Sequence, residues 1–284
     1  MSDSVFGQPS RRSFIKIGGL AIGGLALAAC APAASTGSSG GTGSGDAAKL
    51  GVGNNGQVGK GRTGATADTL FIAGFQWGAP ATFNPLSPTA AWPAAANVMQ
   101  ITYETLLRWN IATGELMPGL AKEYKVDGTK TVTCVLQDGV TFSDGSALTA
   151  ADVVANFELG KKNTGISRNA FWQAADTVSA SDDKTVVIGV SQKTKNVGNL
   201  LRLLTETYIL PMAVFGKIAD DKLPTEIMDK PIGTGPFTLT KADQTQVVLA
   251  LNENYWGKTF YGGLPVIKQI IHPIFKSNED GNIK

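Results

Sequence analysis

Arg11-Arg12, Cys30, Gln76-Trp77, Trp92 and the turn Gly233-Thr234-Gly235-Pro236 are the residues whose types and spacing could carry chemistry. Small residues, Leu27-Ala28-Ala29, precede Cys30. That register suits a peptidase that cuts before Cys30 and leaves its sulfur carrying a diacylglyceryl group. Two acyl chains meet the requirement for stable anchoring, at about 0.8 kcal/mol per buried CH₂. The other reading of the segment is an ordinary cleaved signal that happens to end at a cysteine. A tryptophan face can stack on a sugar ring or an apolar side chain, and a glutamine amide can bond hydroxyls or peptide groups. Gln76, Trp77 and Trp92 are therefore candidate ligand contacts, with packing between subdomains as the alternative for the tryptophans. Thr234 and Gly235 belong first to a backbone turn whose N–H groups could also meet a ligand.

Catalysis and metal binding find little support. The only histidine, His272, sits in an apolar strand beside Pro273, and no pair of carboxylates stands out for acid–base work. One histidine offers no metal-ligand cluster, so no metal, cofactor or enzymatic activity is expected. There are two cysteines. With Cys30 acylated, Cys134 has no disulfide partner. It alternates with Val132 and Leu136 in "TVTCVLQ" and reads as a small buried apolar residue, the alternative being a reactive thiol.

The elements that must position these residues begin with a leader. Arg11, Arg12 and Lys16 precede an apolar run, Ile17 to Ala29, that is shorter than the roughly 20 residues of a membrane span. "SRRSFIK" looks like a twin-arginine export signal, which carries proteins across the membrane already folded. Residues 1–29 are thus read as a twin-arginine lipoprotein signal peptide. Residues 30–67 are read as a disordered tether rich in Gly, Ser and Ala. Its 37 positions after Cys30 include eleven glycines and no aromatic residue, and its reach is roughly 30–36 Å. It spells G-x-G-x-x-G at Gly51–Gly56 and G-x-S-x-G at Gly37–Gly41, without the strand–turn–helix context either motif needs.

The whole chain has 25 basic and 23 acidic residues. Without Arg11, Arg12, Lys16 and Asp3 the remainder balances at 22 each, which leaves no electrostatic footprint for nucleic acid.

From Asp68 the composition changes, and all five tryptophans and all five tyrosines follow. "TLFIAGF" reads as a buried strand. Pro93 could open a helix through "AAANVMQITYETLLRW" (94–109), which would carry Tyr103 into the core. Hairpins are expected at "AKEYKV"/"TVTCVLQ" and across "GPFTLTKADQTQVVLALN". A short strand is expected at "VTF", between turns at Asp138-Gly139 and Asp144-Gly145. Thr149 with Asp152 reads as a capping box for a helix bearing Val153, Val154 and Phe157. "KTVVIGV" reads as a strand, "NVGNLLRLL" as a helix and "LPVIKQIIHPIF" as a long final strand. Trp109, Trp172, Tyr255 and Trp256 are expected to be structural. Mixed strands and helices without strict alternation indicate an α/β fold.

The order "FNP", "YETLLRWNIATGELMPGLAKEY", "TVTCVLQDGVTFSDGSALTAADVVANFE" and "PIGTGPFTLTKADQTQVVLALNENYWG" resembles bacterial extracellular solute-binding proteins of family 5. These are the binding components of ABC importers. The resemblance covers about residues 69–275. It implies a periplasmic-binding-protein type II-like clamp, of which residues 68–284 would form the N-terminal lobe. A β-rich subdomain would be inserted at 94–178, and the second lobe would not be included. It also implies capture of oligopeptides, or alternatively short β-linked oligosaccharides, for delivery to permease subunits. "FQWGAPATFNPLSPTAAWPA" resembles the branch with oligosaccharide binders. The expected place is outside the membrane, held by the lipid on Cys30. The more remote readings are an exported hydrolase and a structural surface lipoprotein.

Overall fold

Strand pairing organises the described residues into three sheets. The computed structural model describes residues 68–72, the backbone of 75–76, residues 78–88, 90, 98–275 and 277. The expected leader, the tether, Arg11, Arg12 and Cys30 lie outside the described residues, as do Trp77 and Trp92.

The first sheet has the order β1 (Thr69–Phe71), β11 (Gln269–Phe275), β10 (Gln246–Leu251), β9 (Phe237–Ala242), and β2 (Phe75–Gln76) also pairs with β11. β1 and β2 run parallel to β11, from Thr69 opposite Gln269 to Gln76 opposite Phe275. β10 and β9 complete an antiparallel hairpin, with Ala250 opposite Gln269 and Leu251 opposite Phe237. This register gives the sheet two distinct ends. Gln76, Phe275 and Thr245 share one; Asp68, Lys268, Leu251 and Phe237 share the other. At about 3.3 Å per residue, the length of β11 separates them by roughly 20 Å. β1 lies at the sheet edge with Leu70 41% exposed, so it is not the buried strand that its apolar run suggests. The final strand starts at Gln269 instead of spanning the whole apolar run.

A second sheet has the order β5 (Ala121–Asp127), β6 (Thr131–Leu136), β8 (Thr185–Val190), β7 (Ala175–Ala180), all antiparallel. It extends past residue 178, because β7 ends at Ala180 and β8 at Val190. In β6 and β8 every second residue is buried, as period-2 side chains demand. Val132, Cys134 and Leu136 face a core with Val186, Ile188 and Val190. The helix α2 (Ala150–Lys162) adds Val153 and Phe157 to that core. Thr149 caps α2 as its spacing predicts: its side chain accepts from the Asp152 N–H, and the Asp152 carboxylate accepts from the Thr149 N–H at 3.0 Å. The short helix α3 (Phe171–Ala174) stacks Phe171 on Phe157 with ring centroids 4.0 Å apart.

The segment 98–118 departs from its helical pattern. Among its described residues the helix covers Val98 and Met99 as a π turn and then α1 (Gln100–Thr102), and Tyr103 is already extended at its C-cap. β3 (Leu107–Asn110) then pairs with β4 (Glu115–Pro118). Thr105 and Leu106 give their carbonyls to the Leu120 and Ala121 N–H groups, at 3.0 and 2.9 Å. Partners distant in sequence thus override the local apolar spacing. "VTF" reduces to one bridge, Thr141 with Ala147, although Gly139 and Gly145 take the positive φ of the expected turns. The remaining helices are α4 (Val197–Glu206), α5 (Met212–Phe215) and α6 (Gly257–Phe260).

Candidate functional site

The loop that follows β2 is pinned by buried polar side chains. The Asn84 amide donates to Leu223 O at 2.8 Å and Glu226 O at 3.0 Å, and its oxygen accepts from the Leu86 N–H. The Thr82 hydroxyl oxygen accepts from the Asn84 and Met228 N–H groups. Thr82, Phe83, Asn84 and Leu86 are all buried. Gln76 itself ends β2, at the carboxyl ends of parallel strands. In open α/β sheets ligands take the crevice just outside those ends.

Thr234 and Gly235 stand at the other end of the sheet, immediately before Phe237. Thr234 is fully buried, and the Gly235 N–H donates to Thr102 O at 2.9 Å. A Cβ on Gly233 would sit 2.0 Å from Thr102 O, and one on Gly235 2.3 Å from Ile101 O. These glycines let α1 close onto the start of β9. The Gly235 N–H is committed to Thr102, and the whole length of the sheet separates it from Gln76.

That second end holds a groove of about 1330 Å³, whose lining includes Glu104, Arg108, Trp109, Tyr208, Tyr255 and Tyr261. The Tyr255 hydroxyl donates to Glu104 Oε1 and the Trp256 indole N–H to Oε2, both at 2.7 Å. Burial raises the Glu104 pKa, opposed by these donors, the Thr234 hydroxyl and the Arg108 charge. Burial likewise raises the phenol of Tyr208 to about 12. Arg108 donates Nε–H to Pro118 O at 3.0 Å and lies 5.0 Å over the Tyr261 ring. Tyr255 and Trp256 serve both the core and this carboxylate. Trp109, expected to be structural, is 52% exposed and lines the groove. Tyr103 is buried, as expected.

Sequence reasoning missed Glu104, because its donors lie about 150 residues away. The available signal was a lone acid inside the apolar run Tyr103-Glu104-Thr105-Leu106-Leu107.

His272 points into the core between Ile270 and Ile274, and burial lowers its pKa. Cys134 is fully buried, its thiol pushed up to about 12. Among the described residues no group of three or more His, Cys, Asp or Glu is placed to hold a metal ion. No described helix is long and apolar enough to cross a membrane.

Comparison with known proteins accords with this architecture. Residues 115–281 match the model of bacterial extracellular solute-binding proteins, family 5. The chain is 29% identical over 230 residues to the oligopeptide-binding protein OppA of Bacillus subtilis, covering 73% of this chain and 40% of OppA. It is 30% identical over 201 residues to the nickel-binding periplasmic protein of Escherichia coli, covering 67% of this chain and 35% of that protein. A mannohexaose-bound periplasmic oligopeptide-binding protein of Thermotoga maritima superposes with a TM-score of 0.69 at 27% identity, over 76% of this chain and 39% of that one. The chain belongs to family 5 of the bacterial extracellular solute-binding proteins and has their periplasmic-binding-protein type II fold. It spans about 35–40% of the length of these relatives.

Proposed function

We propose that this chain supplies one wall of a solute-capturing clamp of an ABC importer, taking oligopeptides outside the membrane and passing them to a permease. The observation that carries the reading is the family match over residues 115–281, joined to parallel strands at whose carboxyl ends Gln76 lies. The names of the B. subtilis relatives favour peptides. The mannohexaose complex of a similar protein supports a second reading, short β-linked oligosaccharides. Gln76, Trp77 and Trp92 are the contacts proposed at this end. In the same proposal, Arg11-Arg12 direct folded export and lipid-modified Cys30 holds the mature protein at the membrane.

The test is thermal denaturation of the mature protein, with any second lobe it possesses, against di- to hexapeptides and against β-linked oligosaccharides. At a hundredfold excess over Kd, binding adds about 2.7 kcal/mol and raises Tm by several degrees. A shift with peptides alone supports the first reading, and one with sugars alone the second. Ligand recovered chemically changed would replace both with an enzyme.

A further inference from the structure

The groove at the Glu104 end holds a set of groups that the capture of solute at the Gln76 end does not use. Arg108 is fixed in two ways, by its Nε–H on Pro118 O and by its guanidinium over the Tyr261 ring. Its terminal Nη groups have no acceptor among the described residues, and no described carboxylate lies within the 4.0 Å of an ion pair. A guanidinium oriented in this way is a preorganised fork for a carboxylate. Glu104 lines the same groove and feels the Arg108 charge without pairing to it. Its oxygens accept from Tyr255 and Trp256, with the Thr234 hydroxyl as a third donor, yet a carboxylate has about four lone-pair sites, so acceptor capacity remains. The rim is apolar and open: Ile111 is 92% exposed, Val266 83% and Trp109 52%, and all three line this cavity. Exposed apolar side chains concentrated around one concavity mark a place for a ligand.

We propose that this groove binds a free α-amino acid with an apolar side chain, at a site separate from the crevice at Gln76. The Arg108 Nη fork takes the α-carboxylate, Glu104 takes the α-ammonium, and Tyr261, Trp109 and Ile111 cover the side chain. The acid and the base line one groove without forming an ion pair with each other, and a ligand with both charges on one carbon offers a partner to each. A peptide carries its two terminal charges apart and satisfies one at a time. The net charge of the two residues is zero, which matches a zwitterion.

Saturation-transfer NMR of the mature protein with L-phenylalanine and L-leucine tests the assignment. Phenethylamine, which has the cation only, and N-acetyl-L-phenylalanine, which has the anion only, serve as probes of each charge. Both amino acids should receive saturation, and each analogue should bind at least about tenfold more weakly. Arg108→Gln should cost a similar factor. Trp109→Ala, at an exposed position with little bearing on folding, should weaken phenylalanine severalfold with an unchanged Tm. The proposal fails if neither amino acid binds, or if an analogue binds as tightly as phenylalanine. It also fails if Trp109→Ala binds phenylalanine as the parent does.

Discussion

The loop after β2 and the Glu104 end of the first sheet are built on opposite plans. In the loop, backbone and buried amides hold the chain: Asn84 and Thr82 tie it to residues 223–228. At the Glu104 end, charged and aromatic side chains themselves form the floor, and the backbone behind them is packed to contact through Gly233 and Gly235. A loop held by its backbone can exchange its outward side chains at little cost to the fold. A floor whose carboxylate is tied into the core by Tyr255 and Trp256 cannot. Binding and stability should therefore separate at exposed side chains such as Trp109 and move together at those tied into the core.

Gly233→Ala should break the second end most severely. The new Cβ would meet Thr102 O, a backbone atom that cannot swing aside. The chain between α1 and β9 must shift, at a cost of about 3 kcal/mol. Urea denaturation should show a lower midpoint with an unchanged slope, and phenylalanine binding in the groove should fall with it. An unchanged midpoint would mean that α1 and β9 are not in the close contact described.

Glu104→Gln tests the electrostatics of the same end. The folded protein holds the Glu104 proton more tightly than the unfolded chain does, since burial raises its pKa. Its contribution to stability is thus fully present below the ordinary carboxylate pKa and is lost as pH rises through the raised value. The loss is about 1.4 kcal/mol for each unit by which the pKa is raised. Asp144, Asp182 and Asp243 have lowered pKa values and act with the opposite sign, stabilising at higher pH. The difference between the parent and Glu104→Gln, measured by denaturation across the acid-to-neutral range, isolates Glu104. That difference should slope against the parent as pH rises. A flat difference would show that the carboxyl is solvated.

How legible each part was follows from how local its determinants are. The capping box Thr149/Asp152, the β5–β6 and β9–β10 hairpins and the burial of Cys134 rest on neighbours a few residues apart, and the structure has them where the sequence puts them. The helix expected over 94–109 stops at Thr102 because Leu106 and Leu107 satisfy a helical spacing and a strand equally well. Thr105 and Leu106 are held by Leu120 and Ala121, which no window on the segment contains. The Glu104 floor was invisible for the same reason, its donors coming from Tyr255 and Trp256. That Thr234 and Gly235 lie a sheet's length from Gln76 depends on the β9–β10–β11 register, which no local pattern contains. Pattern reading found the elements but could not find which ends of them meet.

Trp77→Ala sharpens the Gln76 end. If that end takes peptide or sugar by stacking, the variant should bind its solute about tenfold more weakly, or about 1.4 kcal/mol. Phenylalanine binding in the groove should not follow it. Titration of the mature protein with the solute found in the thermal screen measures the first quantity, and saturation transfer the second. Parallel losses at both sites would mean that the two ends are coupled or are one site.

Thr149→Ala should have the smallest effect and checks the logic of the others. Thr149 lies at the N-terminus of α2, in neither proposed site. Its side chain accepts from the Asp152 N–H and shares a second hydrogen bond with the Asp152 carboxylate. Removing the hydroxyl leaves an orphan N–H in the first turn and frees an acid that otherwise complements the helix dipole, a loss of about 1 kcal/mol. Tm should fall by a few degrees, and affinity at both ends should stay at the parent value. A loss of stability of this size would then be shown not to weaken ligand binding by itself. The binding losses expected of Trp77→Ala and Arg108→Gln would have to be local. If Thr149→Ala weakens phenylalanine or solute binding to a similar degree, affinity follows global stability, and the contrast between a backbone-held end and a side-chain-held end would no longer explain the differences.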